Sequence, residues 1–478
     1  MQFIHTSFNK YFIMLQTIIL VLMKKLLLLI VAIPVIVSAQ TNQDSVFIKK
    51  LSDEIMRNGK AYDWLRELTK NIGGRLAGSP QFAKAVAWGN KTMLTTSADK
   101  VFLQECMVPH WVRGGKDKVI VTSVNNKTVS KALDALALGN SIGTGLKGLT
   151  AEVIALNNFD ELEKRKNEIK GKIVLFNYPF NPTYIVPGRS YGEAGAYRRG
   201  GPSKAAKYGA AAVLTRSLTE ATDNNPHTGA TAYDTAFPKI PCAALGTQDA
   251  DYLYKLASTT KVKVTITTNG HFLPGTIGHN VIGEIKGSEF PNQYITFGGH
   301  LDSWDVNEGA HDDGTGVVQA IEVLRALIAV GYKPKHSLRF VLFANEENGL
   351  RGGNKYAEAA KANNEEHIFA LESDEGGFTP RGFSFTSSDA QLQKANSWLP
   401  LLKPYGTETM SSGGGGADIG PLAKLLKTPL AGFVPDNQRY FDLHHARTDV
   451  FENVNKRELL LGAVYIAGLI YLVDKYGF

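Results

Sequence analysis

From about residue 278 onward, stretches of strand type and of helix type alternate, and this constrains the fold more than any other feature. Short apolar runs at 280–285, 294–298, 338–344 and 368–372 read as strands. Longer apolar-periodic stretches at 315–330, 351–362 and 456–474 read as helices. Alternation of this kind predicts an α/β domain with a mixed, largely parallel sheet and helices on both faces. Ligand groups in such sheets gather at the carboxyl ends of strands. Most of the polar clusters discussed below follow strand segments directly.

A chain of 478 residues exceeds what one ordinary core supports, so two domains are expected. Residues 128–270 change character. Strand-like runs at 151–155, 172–176 and 211–214 surround a Gly-, Tyr- and Arg-rich segment, 191–201, which reads as a loop. A short helix around Ala205, Ala206 and Tyr208 follows. This stretch reads as a small α/β module inserted into a larger domain, with 40–127 as the N-terminal part of that domain and 271–478 as its catalytic part. Residues 46–70 carry helical spacing, ended by the Gly73–Pro80 segment.

Residues 1–39 read as an export signal. Met23, Lys24 and Lys25 begin it, the apolar run 26–37 continues it, and Val37-Ser38-Ala39 supplies a small-residue cleavage site. Gln40 after the site is not the cysteine of a lipoprotein. The expectation is a periplasmic or extracellular protein with no membrane association after cleavage behind Ala39; the competing reading is a retained anchor. The net charge of +7 comes from scattered basic residues, which gives no reason to expect a nucleic-acid partner. Cys106 and Cys242 lie in no CxxC pair and form no metal site by themselves.

Five short segments carry the chemistry. Gly299-His300-Leu301-Asp302 offers an imidazole and, two residues on, a carboxylate able to accept from its other nitrogen. His311-Asp312-Asp313-Gly314 opens a helix; capping accounts for Asp313 but not for Asp312. Glu346 and Glu347 follow a buried-type strand, where paired carboxylates are costly unless they meet cations. One of them can bind metal while the other acts as general base. Glu372-Ser373-Asp374 and His444-His445, four residues before Asp449, complete the set. Singly each is a weak signal. Together their N and O donors suit zinc.

These segments, with Val108–Gly114, Ser141–Thr144, Pro226-His227-Thr228-Gly229, Pro238–Pro241 and Gly299–Val306, resemble the co-catalytic zinc exopeptidases. That family includes bacterial leucyl aminopeptidases, glutamate carboxypeptidase and the transferrin receptor ectodomain; the carboxypeptidase Q group resembles this chain in particular. The resemblance implies the zinc-exopeptidase fold, with the inserted module as a protease-associated domain. It implies two zinc ions, one held by His300 and Asp374, the other by Glu347 and His445, with Asp312 bridging. Glu346 is then the general base, Asp302 orients His300, and the Asp312–Asp313 peptide is cis. The segments around Glu346 and after His445 depart from the usual pattern, but no ligand is lost. The implied activity is hydrolysis of small unblocked peptides, chiefly dipeptides, by a homodimer. A broad aminopeptidase and a non-catalytic receptor-like ectodomain are the alternatives. For substrate contact, the candidates are Gly415, Gly416 and Asp418 in a glycine-rich loop, with Tyr440 and His444 beside the last ligand.

Overall fold

The computed structural model describes residues 42–478, so the signal reading of 1–39 lies outside the described residues. Two eight-stranded sheets organise the chain. The first runs in the order Lys100–Val112, His271–Ile285, His336–Phe343, Phe290–His300, Glu366–Glu372, Leu430–Pro435, Pro380–Thr386, Thr409–Ser412. Its four central strands are mutually parallel, and antiparallel pairings fall toward the edges. The expected mixed sheet is therefore present.

The His336–Phe343 strand is buried along its whole length, as a strand covered on both faces must be. Leu338, Phe340 and Leu342 pack with Val317 and Ile321 of the Thr315–Ala329 helix and with Val464 of Lys456–Tyr476. Val341 and Phe343 pack on the other face, against Tyr356 and Ala357 of Arg351–Ala362. Among the described residues, Lys456–Tyr476 is the one helix long and apolar enough to cross a membrane. Here it is a core helix, buried over nearly its entire length.

The second sheet has parallel strands Leu149–Leu156, Ile173–Phe176, Ala212–Arg216 and Cys242–Leu245 at its centre. It takes in Lys118–Val124, ahead of the residue 128 expected from sequence, because that strand pairs with Val262–Thr267. The 191–201 segment is not a loop. Pro187–Arg199 is a helix started by Pro187 in its first turn, and Gly201–Ala206 continues as another. Cys106 and Cys242 are buried free thiols.

Candidate metal centre

The four central parallel strands end on one side of the sheet, and the polar segments sit at their carboxyl ends. His300 is the last residue of Phe290–His300. Its Nδ1 lies 2.9 Å from the Asp302 carbonyl oxygen, which fixes the tautomer and leaves Nε2 free. That Nε2 is 3.2 Å from Asp312 Oδ1 and 3.3 Å from Asp374 Oδ1. His445 Nε2 is 3.2 Å from Asp312 Oδ2 and 3.0 Å from Glu347 Oε2. The two oxygens of Asp312 are thus divided between two imidazoles, each of which meets a second carboxylate.

The expected role of Asp302 is corrected in one respect. Its carboxylate does not accept from His300, whose Nδ1 is 3.9 Å away. Asp302 Oδ1 instead accepts from the Glu346 backbone N–H at 3.0 Å. Asp302 therefore holds His300 by its main chain and the Glu346 backbone by its side chain.

The site is held largely through its backbone. Asp449 accepts from the N–H groups of His311 at 2.7 Å and Asp312 at 3.2 Å. Asp313 accepts from Gly316 N at 2.9 Å, in the first turn of the Thr315–Ala329 helix, and from His300 N at 3.0 Å. The Asp312–Asp313 peptide is cis. Arg75, fully buried, donates to the carbonyls of Leu301, Glu308 and Gly309 and so ties down the chain between His300 and Asp312.

The electrostatics follow from burial among like charges. Burial and the nearby Asp312 push Glu347 up to about 7. Burial raises Glu346 well above the usual carboxylate range; Asp374 and Glu347 raise it further, and His300 only partly offsets this. Burial also acts to raise Asp312, but His444, His300 and His445 outweigh it and hold the group well below its ordinary value. The ion pairs of Asp312, Glu347 and Asp374 are all with histidines.

These donors fit metal. Among the described residues, Asp312 Oδ2, Glu347 Oε1 and Asp374 Oδ1 are buried without a well-formed hydrogen bond, and buried carboxylate oxygens whose nearest partners are imidazoles at best are expensive without a cation. His300, Asp312 and Asp374 form one cluster with metal-ligand spacing; Asp312, His444 and His445 form a second. His444 stacks on His445 at 3.6 Å between ring centroids, and its Nε2 lies 3.6 Å from Asp312 Oδ2.

A cavity of about 450 Å³ opens over this centre. Glu346, Tyr440 and His444 line it together with Asp312, Glu347, Asp374 and His445, and so do Tyr191, Arg198 and Arg199 from the second unit. Arg198 is buried, bonded to Tyr191 Oη at 2.6 Å and the Thr228 carbonyl at 3.4 Å, with His445 Nδ1 also 3.4 Å away and no carboxylate partner among the described residues. An adjoining cavity of about 570 Å³ is walled by the 411–416 loop, including Gly415 and Gly416. Asp418 lines neither cavity; it is fully buried, so the structure does not bring it to the cleft surface. Gly416 packs so tightly on Glu372 that a Cβ there would lie 2.1 Å from the Glu372 carboxyl carbon.

Residues 280–467 match the model of peptidase family M28. Over 415 residues the chain is 34% identical to carboxypeptidase Q of Homo sapiens, a match covering 87% of this chain and 85% of the human protein. The chain belongs to peptidase family M28. A crystal structure of an M28 peptidase precursor from Shewanella amazonensis superposes with a TM-score of 0.85 at 29% identity, over 91% of this chain and 97% of that one. A zinc aminopeptidase from Bacillus subtilis, 20% identical, shares the fold with a TM-score of 0.63 over 87% of this chain and 95% of its own. This M28 peptidase is a zinc-dependent exopeptidase, a hydrolase.

Sequence reasoning missed Arg75, Arg198 and His227 as parts of the site. Arg198 sat in a segment read as a loop, and the other two act through backbone atoms. One signal was present: Pro226-His227-Thr228-Gly229 matched the family without any chemistry to account for it.

Proposed function

We propose that this M28 peptidase is an exported dipeptidase with two zinc ions per chain. The observation that carries the two-ion reading is the division of Asp312, one oxygen toward His300 and one toward His445. His300 and Asp374 would hold one ion and Glu347 and His445 the other, with Asp312 between the two positions. Zinc bound there supplies a Lewis acid and lowers the pKa of water. Glu346, on the cavity wall, is placed to take the proton from the attacking water and pass it to the leaving amine.

The preference for dipeptides rests on charge. The cavity over the ligands carries Arg198 and Arg199 on the wall supplied by the second unit. A guanidinium without a carboxylate partner beside a peptide-cleaving centre suits the carboxylate of a substrate one residue beyond the scissile bond. Glu372 lines the opposite side, where a free amine is favoured. The second unit fits the protease-associated module named by resemblance. The homodimer remains part of the proposal on that same resemblance, and a single-chain mass by light scattering in fully active enzyme removes it. An intact donor set argues against a receptor-like ectodomain.

The test compares kcat/KM for a dipeptide, its N-acetyl form, its C-terminal amide and a tetrapeptide. The free dipeptide is expected to exceed each of the others. A tetrapeptide or amide cleaved as well as the dipeptide makes the enzyme a broad aminopeptidase instead. N-terminal sequencing of secreted protein, expected to begin near Gln40, tests export.

A further inference from the structure

The two cavities beside the metal centre differ in charge. The one toward the second unit carries Arg198 and Arg199. The other, of about 570 Å³, is lined by Glu372 and Glu375, by serines and by bare glycine backbone, and among the described residues no Lys or Arg lines it. Asp374 and Glu375 border both. The scissile carbonyl must sit at the metal ligands, between the compartments.

The wall of the second compartment is built rather than incidental. Ser384 and Ser411 are register partners on neighbouring strands, so their hydroxyls stand side by side. A Cβ on Gly414 would lie 1.6 Å from Ser384 Oγ, and one on Gly432 would lie 2.4 Å from the Gly415 carbonyl oxygen. The loop can lie flat on this support only without side chains, and it presents backbone to the cavity. Glu375 Oε2 accepts from Asn437 Nδ2 at 2.9 Å, which fixes the carboxylate at the junction of the two compartments. Val434 and Phe433 add apolar surface.

We infer that this compartment receives the side chain of the substrate's amino-terminal residue and selects a cationic one, lysine or arginine. The inference rests on the substrate orientation given under Proposed function, with the carboxylate toward Arg198. The aliphatic stem of lysine or arginine lies along Phe433 and Val434 while its charged end meets Glu375 and the hydroxyls. An acidic side chain meets carboxylates with no cation among the lining residues to offset them, so it is rejected by repulsion.

The experiment measures kcat/KM of the zinc-loaded enzyme on Lys-Ala, Arg-Ala, Leu-Ala and Glu-Ala, and on Lys- and Leu-headed tetrapeptides. Lys-Ala and Arg-Ala should exceed Leu-Ala by about tenfold or more, with Glu-Ala lowest. In Glu375→Gln, which keeps an acceptor for Asn437, the Lys-to-Leu ratio should fall toward one, mainly through KM. Ser411→Lys, at an exposed position, should turn the preference toward Glu-Ala. Leu-Ala or Glu-Ala cleaved as well as Lys-Ala by the wild type overturns the inference, and so does a ratio unmoved by both variants. If dipeptides resist cleavage while Lys-headed tetrapeptides beat Leu-headed ones, the compartment is assigned correctly and the dipeptidase reading fails.

Discussion

Glu346 and Asp374 both border the same cavity, yet the structure gives them different work, and substitution separates the two. Glu346 makes no ion pair with His300 or His445, whereas Asp374 approaches His300 Nε2 at 3.3 Å. Glu346→Gln should keep the zinc content of the wild type and lower kcat by about two to four orders of magnitude. Asp374→Ala should lose zinc. Metal analysis beside single-turnover rates distinguishes the outcomes, and wild-type turnover by Glu346→Gln would remove it as the base. Arg75 gives a prediction of another kind. Its guanidinium satisfies three carbonyls in the interior, so Arg75→Met should cost about 2–4 kcal/mol of stability, read from urea unfolding. The ligands were legible in the sequence because metal chemistry demands particular side chains. Arg75 was not, because its partners are main-chain atoms, which every residue has.

At the scale of elements, the central strands and long helices appear where the apolar periodicity put them, because burial on both faces leaves a strong sequence signal. Expected helices at 315–330 and 351–362 became Thr315–Ala329 and Arg351–Ala362. The Pro187–Arg199 helix escaped because its composition is Gly- and Arg-rich, with one face turned to the active-site cavity rather than to a core. Polar clasps between strands were equally hidden. Arg339 on His336–Phe343 binds Glu284 of the neighbouring strand at 2.9 Å and Glu365, just ahead of Glu366–Glu372, at 2.6 Å. Burial acts to raise Glu365, but hydrogen bonds from His367 and Arg339 prevail and hold it at about 2, against an ordinary 4.5. The folded-state pKa is depressed, so the clasp stabilises the fold above about pH 4.5 and loses that effect as pH falls toward about 2. Glu365→Gln should destabilise the metal-free protein by about 2 kcal/mol at pH 7. The deficit should shrink below about pH 4.5. Urea midpoints across that range check it, and a constant deficit would show that the charge is not responsible.

At the scale of the whole molecule, the second unit does more than roof the cavity. Its 227–228 segment lies along the His444–His445 pair. Thr228 N donates to the His445 carbonyl at 3.0 Å, and His227 Nδ1 donates to the His444 carbonyl at 2.7 Å. His445 Nδ1 in turn lies 3.3 Å from the Thr228 carbonyl, which leaves its Nε2 facing Glu347 and Asp312. His445 sits at a φ of 63°, a backbone state that costs energy in a residue with a side chain and persists where its surroundings enforce it. The unit therefore supplies hydrogen bonds that orient His445, the proposed metal ligand, and outer partners of a metal ligand are worth about 10–100-fold in metal affinity. His227 is buried and held neutral, its pKa lowered to about 4 chiefly by burial. His227→Ala should weaken zinc by about that 10–100-fold factor at the Glu347–His445 position and leave the His300–Asp374 position unchanged. His227→Gln, which keeps an N–H donor, should recover part of the loss. Chelator titration with metal counting resolves the two positions as separate release steps, and urea unfolding controls for a general loss of fold. If His227→Ala releases both ions at wild-type chelator concentrations, the second unit only encloses the substrate and the orientation of His445 must come from the peptidase unit alone.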